Sequence, residues 1–122
     1  MAKLCNQILV ANALASISEA LRLAVQGGID AARLPEALRG GWADSTLLQL
    51  FVPRMLVTPE QSLGASSTML KDLKNVQAFA TAHDVPLPLT AITEQLFRVL
   101  EFQSRGHLEP SAMFGVFDRP KA

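Results

Sequence analysis

The sequence predicts an all-α fold: a helical bundle built around a long central N-terminal helix. Three observations carry this. Leu (19) and Ala (17) together give 36 residues, against 18 for Val (8), Ile (4) and Thr (6); unbranched side chains lose little rotamer freedom in a helix, whereas β-branched ones favour strands. No stretch alternates apolar and polar residues with period two between hairpin dipeptides. Apolar residues instead recur at helical spacing, in segments that glycine pairs and prolines punctuate.

The first helix is expected from about Lys3 to Val25, stopped at Gly27-Gly28, since glycine is favoured at helix C-caps. Its middle (Ile8, Leu9, Val10, Ala11, Ala13, Leu14, Ala15, Ile17) is apolar nearly all round. A helix without a polar face is normally enclosed by others, so this one reads as the central post. Asp30 fits an N-cap for a short second helix to about Arg39, with Pro35 placed awkwardly inside it, and Gly40-Gly41 ends it. Asp44 or Ser45 caps a third helix through about Phe51, which Pro53 closes. Residues 54–64 read as loop, with Pro59 and Gly64 as breakers. A fourth helix from about Ala65 to Ala82 carries Leu70, Leu73, Val76 and Ala80 at helical spacing. Val85-Pro86-Leu87-Pro88-Leu89 reads as a tight apolar connection, after which Thr90 caps a fifth helix to about Arg105, ended by Gly106. A short helix near Ser111–Phe117 precedes a polar tail.

The length of 122 residues predicts a single domain. An apolar share of 49% is too high for a disordered segment. Lys+Arg (11) balances Asp+Glu (11), which argues against a strong electrostatic hold on nucleic acid or an anionic membrane. The one cysteine, Cys5, excludes an internal disulfide framework and fits a reducing, cytoplasmic setting. No basic region followed by an apolar core opens the chain, so no secretory signal is expected. The polar interruptions Asn12, Ser16, Ser18 and Glu19 count against a transmembrane first helix.

Familiar catalytic motifs are missing. The sequence has no glycine-rich phosphate loop between a strand and a helix, no metal-spaced Cys/His cluster and no nucleophile elbow. His83 and His107 read as solvated or capping residues. The opening turn is different. Lys3, Asn6 and Gln7 stand at i, i+3 and i+4, so three polar side chains share one face at the start of an otherwise apolar helix. Alone, they would also suit an ordinary exposed N-terminal turn.

Further blocks follow in order: Glu19-Ala-Leu-Arg-Leu-Ala24, Gly40-Gly41-Trp42-Ala43-Asp44-Ser45, Pro53-Arg54-Met55, Lys71-Asp72-Leu73, Leu87-Pro88-Leu89-Thr90 and Gly106-His107. With the opening Lys3-Leu-Cys-Asn6-Gln7, this series resembles the C-terminal helical domain of the β-hydroxyacid dehydrogenases, the family of 3-hydroxyisobutyrate dehydrogenase and tartronate semialdehyde reductase, more distantly related to phosphogluconate dehydrogenase. The resemblance spans roughly Lys3 to Ser111. It implies an NAD- or NADP-dependent oxidoreductase acting on a short β-hydroxy acid or semialdehyde. The cofactor would be held mainly by an N-terminal Rossmann domain of the same parent chain, and association would be as a homodimer through the helical domain.

The same resemblance implies the residue roles. Lys3 matches the family's catalytic lysine in the pattern Lys-x-x-Asn, a general acid–base group at the substrate oxygen. Hydride addition builds charge on oxygen, and a positioned ammonium both stabilises it and supplies the proton. Asn6, with Gln7 beside it, matches the amide pair that orients substrate and lysine. Lys71 matches a lysine near the cofactor, and Asp72 would hold its helix in place. Gly40, Gly41 and Ser45 match a turn near the substrate pocket and are read as structural; Trp42 is read as packing or interface.

Three positions depart from the family pattern. Only Met1-Ala2 precede Lys3, where a glycine-rich segment is usual, so the helix reads as cut near its start. Gly64 stands where an aromatic is common, and Leu108 follows His107 where a second glycine is common. The piece is expected to be inactive without its dinucleotide-binding half. The competing expectation is a non-catalytic helical module that binds a partner through exposed apolar surface.

Overall fold

The computed structural model describes residues 1–119; the end of the polar tail, residues 120–122, lies outside them. The described residues form five α-helices: α1 (Ala2–Gln26), α2 (Leu34–Leu38), α3 (Thr46–Leu56), α4 (Ser66–Ala82) and α5 (Pro88–Phe102). A 3-10 turn at Ala31–Arg33 leads into α2, and a 3-10 helix at Pro110–Gly115 follows α5. No strand occurs among the described residues. The all-α expectation holds.

α1 touches α3, α4, α5 and the 3-10 helix, so it is the central element. Its two halves anchor two apolar clusters. Leu14, Ile17, Leu21 and Ala24 pack with Ala31 and with Leu48, Phe51, Val52 and Met55 of α3. Ala11 packs with Met69, Leu70 and Leu73 of α4, Phe97 and Leu100 of α5, and Met113 and Val116 beyond. Val10 borders both clusters. Enclosure is nonetheless incomplete: Leu9 is 71% and Leu23 75% exposed, so the post is not surrounded as its all-round apolarity suggested. α1 is also long and apolar enough to cross a membrane, despite its polar interruptions. Here its apolar side chains fill the bundle core, and Asn12 and Arg22 bond to neighbouring elements.

Capping chemistry sets the helix limits. α1 ends in a Schellman turn, with Ile29 N–H bonded to Ala24 C=O and Gly28 N–H to Val25 C=O (both 3.3 Å), and Gly28 at φ +78°. Asp30 caps as expected, accepting from Ala32 N–H, but what it caps is the 3-10 turn. Pro35 falls in the first turn of α2, where its missing N–H costs nothing. Ser45 rather than Asp44 caps α3, its Oγ accepting from Leu48 N–H at 3.0 Å.

Several expected boundaries move. Pro53 lies inside α3 and does not close it: buried Met55 and the Arg54 guanidinium, bound to Glu109, hold one further turn beyond the proline. α5 begins at Pro88, taking the last two residues of the expected connection into its first turn. Thr90 is therefore not its cap. It is buried, and its Oγ1 accepts from Asn12 Nδ2 at 3.1 Å. α5 also stops at Phe102, short of Arg105, because Ser104 takes a left-handed conformation (φ 59°). Trp42 packs against nothing among the described residues and is fully exposed.

Candidate functional site

The polar turn of α1 meets the middle of α4. Lys3, the second residue of α1, is exposed, as is Asn6, while Gln7 is half-buried. Asn6 Nδ2 donates to Gln7 Oε1 at 3.0 Å. Gln7 Nε2 in turn donates to Asp72 Oδ2 at 2.7 Å, across 65 residues. The structure thus brings Asn6, Gln7 and Asp72 into one chain of hydrogen bonds. The helix spacing places Lys3 on the same face of α1, one turn before this pair. Lys71 is exposed on α4, next to Asp72 in sequence. Among the described residues neither Lys3 nor Lys71 makes a side-chain hydrogen bond or ion pair, and the two amides bond to each other and to Asp72, not to Lys3.

Tight anchoring explains why this corner is fixed. Leu70 and Leu73 flank Lys71 and Asp72 in sequence and are buried against α1, so α4 cannot roll without losing its apolar contacts. α4 starts without a side-chain cap at Ala65. Its first amides are taken by main-chain carbonyls instead: Ser66 N–H by Leu108 C=O (2.7 Å) and Ser67 N–H by Gly106 C=O (2.9 Å). The Gly106-His107 block therefore supports the α4 helix that carries Lys71. His83 bonds its own helix end through Nδ1 and Phe79 C=O (2.9 Å) and stacks on Phe79, in keeping with a capping role. His107 is exposed. No group of metal-ligating side chains forms among the described residues.

The Gly40–Ser45 turn is held by its own carboxylate. Asp44 accepts from Gly40 N–H (2.9 Å), Ser45 N–H and Gln49 Nε2 (both 2.8 Å). The Gln49 amide, with those backbone donors, holds the Asp44 carboxyl below its ordinary value. The turn binds itself, which agrees with a structural reading.

A cleft lies elsewhere. About 420 Å³ opens between the end of α3, the following loop and residues 105–118, with Arg54, Arg105, His107, Glu109 and Ser111 on its walls. Phe114 and Asp118, also on its walls, bond to Arg22 of α1. Arg22 is 19 residues, roughly 28 Å of helix axis, from Lys3. Across this cleft wall Arg54 and Glu109 form an ion pair at 2.6 Å, the Glu109 side chain only 6% exposed. The Arg54 guanidinium, with the Leu63 amide behind it, holds the Glu109 carboxyl below its usual range. Sequence reasoning passed over Glu109, although Arg54 stood in one of the matched blocks.

An all-α module that sets paired amides against a carboxylate, with exposed lysines beside them, has clear relatives. Residues 1–117 match the family described as NAD-binding of NADP-dependent 3-hydroxyisobutyrate dehydrogenase. The chain is 33% identical over 111 residues to 2-hydroxy-3-oxopropionate reductase of Escherichia coli K12, covering 91% of this chain and 38% of that protein. It is 32% identical over 117 residues to probable 3-hydroxyisobutyrate dehydrogenase-like 2, mitochondrial, of Arabidopsis thaliana, covering 96% and 38%. In fold it superposes on 3-hydroxyisobutyrate dehydrogenase from Salmonella typhimurium with a TM-score of 0.88 and 23% identity, over 95% of this chain and 41% of that one. The chain belongs to the 3-hydroxyisobutyrate dehydrogenase family. It spans about 38% of the length of these curated relatives.

Proposed function

We propose that this chain is the substrate half of an NAD(P)-dependent dehydrogenase or reductase of short β-hydroxy acids and their semialdehydes. The observation that carries this reading is the 2.7 Å bond from Gln7 to Asp72, which joins the Lys-x-x-Asn-Gln turn of α1 to the Lys-Asp-Leu block of α4. Two sequence blocks 65 residues apart form one polar corner. In this reading Lys3 is the general acid–base group, and Asn6 and Gln7 hold the substrate's polar end. The nicotinamide, when bound, supplies or accepts hydride. Lys3 gives its proton to the carbonyl oxygen in reduction and takes the hydroxyl proton in oxidation.

Lys71 fits one phosphate or ribose contact of NAD or NADP, being exposed and free of protein partners among the described residues. It does not amount to a cofactor site. The chain's partners are then a Rossmann domain of the same parent chain and a second copy of the helical domain, in a cytoplasmic, reducing setting that suits the exposed free Cys5. Nucleic acid and membrane have no part in it. Sedimentation at tens of micromolar tests the pairing; a clean monomer counts against it.

Steady-state kinetics of the full-length protein test the central claim. Lys3→Ala lowers kcat/KM by about 10²–10⁴-fold with a short β-hydroxy acid. A loss under about tenfold removes Lys3 from acid–base work.

A further inference from the structure

We propose that Asp72 is a positioning residue that sets the hydrogen-bond direction of the whole Asn6–Gln7 pair, so that Asn6 turns its carbonyl oxygen, and not its NH2 group, outward toward the substrate. The inference rests on the reading of Lys3 above but is carried by different atoms. A carboxylate has only acceptors. The Gln7 atom 2.7 Å from Asp72 Oδ2 is therefore the amide nitrogen, which turns Gln7 Oε1 toward Asn6. An amide oxygen accepts only, so the Asn6 atom 3.0 Å from it is the donor Nδ2. Each assignment follows from the one before it. Without the carboxylate, either amide could turn end for end at little cost, because the two ends have nearly the same shape.

Direction has a chemical consequence. Asn6 stands one turn along the helix from Lys3 and presents Oδ1, an acceptor. An acceptor suits a hydroxyl hydrogen of the substrate or the Lys3 ammonium and repels a carboxylate. The hydroxyl end of a β-hydroxy acid therefore lies at Asn6, and its acid group is bound by other donors.

The first test uses the 122-residue chain unchanged. Scalar couplings across hydrogen bonds, from Gln7 Nε2 to Asp72 Cγ and from Asn6 Nδ2 to Gln7 Cδ, are expected in its NMR spectra; their absence overturns the relay. The second uses the full-length dehydrogenase. Gln7→Glu alone sets two carboxylates against each other and lowers kcat/KM by about 10- to 100-fold. Adding Asp72→Asn moves the carboxylate to the middle position, where it accepts from both sides and again holds Asn6 Nδ2 inward. The double variant then has a kcat/KM at least about fivefold above that of Gln7→Glu alone, at unchanged net charge. Failure of this rescue with couplings present overturns the positioning role. Couplings and rescue in a protein indifferent to Lys3→Ala leave the relay standing and remove the acid–base reading.

Discussion

Arg54 grips both carboxylate oxygens of Glu109, with Nε at 2.9 Å and Nη2 at 2.6 Å, across 55 residues of sequence. Glu109 also accepts from the Leu63 amide, and Arg54 donates to the Gln61 carbonyl. One ion pair thus ties the end of α3, the loop after it and the approach to the 3-10 helix together. Its bidentate geometry and the burial of Glu109 set it apart from the exposed Arg33–Glu36 pair, from which little is expected. Glu109→Ala should lower the melting temperature by roughly 5–15 °C, whereas Glu36→Ala should move it by no more than about 2 °C.

The same pair makes stability depend on pH. Glu109 has an ordinary pKa of 4.5 and is held lower in the folded chain, chiefly by its hydrogen bond to Arg54. The unfolded chain therefore binds more protons at this group, so stability rises with pH across the window. The contribution is complete above pH 4.5 and is lost as pH falls through the lowered folded value. Asp44, with an ordinary pKa of 3.8 and also held lower, acts in the same direction. Melting temperatures of the parent and Glu109→Gln should differ most near neutral pH and converge once acid protonates Glu109 in the folded chain, below its ordinary value of 4.5. A gap that persists in strong acid would show that lost packing, not charge, is responsible.

Ser104 and Asp84 sit in left-handed backbone at φ 59° and 53°. Each closes a Schellman turn: Arg105 N–H bonds Leu100 C=O at 2.8 Å, and Val85 N–H bonds Ala80 C=O at 2.9 Å. Glycine occupies the equivalent place after α1, where no Cβ meets the following carbonyl. Ser104→Gly should stabilise the chain by about 0.5–1 kcal/mol in urea titration. Asp84→Gly should gain less, since aspartate tolerates this conformation better. Destabilisation by either change would mean that the side chain itself caps the helix.

These two turns also show what could be read in the sequence. Gly27-Gly28 announced the end of α1 because glycine is the usual sign of a left-handed cap. Ser104 gives no such sign, and the sequence points instead to an end near Gly106, a glycine whose carbonyl accepts from Ser67 N–H. Pro53 misled in the opposite sense. The local penalty of a proline inside a helix was visible, but the Arg54–Glu109 pair and buried Met55 that outweigh it are long-range. At the candidate site, Lys3, Asn6 and Gln7 were legible from spacing on one helix, and Lys71 and Asp72 from a matched block. That Gln7 reaches Asp72 was not, because the packing of α1 on α4 selects which faces meet.

Asn12 and Thr90 form a buried polar contact that is only partly satisfied. Asn12 Nδ2 reaches Thr90 Oγ1 at 3.1 Å, while Asn12 Oδ1 is buried without a partner among the described residues. Removing one partner should hurt more than removing both, because an unpaired buried amide bears its full desolvation cost. Thr90→Val should cost about 1–3 kcal/mol, and the Asn12→Leu/Thr90→Val pair should recover most of it. A double-mutant cycle by urea titration measures the coupling; strict additivity would show that the amide has found water.

The isolated chain should neither bind NADPH measurably nor turn over a hydroxy acid, and magnitudes explain why. A dissociation constant of even 1 mM requires about −4.1 kcal/mol. One exposed lysine such as Lys71, meeting a phosphate in water, contributes about 0–1 kcal/mol. Helix N-termini could add amide donors for phosphate, but those of α3 and α4 are engaged, by Ser45 Oγ and by the Gly106 and Leu108 carbonyls. The N-termini of α1 and α5 carry no side-chain cap, but at about 0.3–1 kcal/mol each they leave the total, lysine included, below the requirement. Calorimetry with NADPH at about 1 mM should give no saturable heat with this chain. Saturable binding in that range that Lys71→Ala leaves unchanged would mean that the helical domain holds a dinucleotide site of its own.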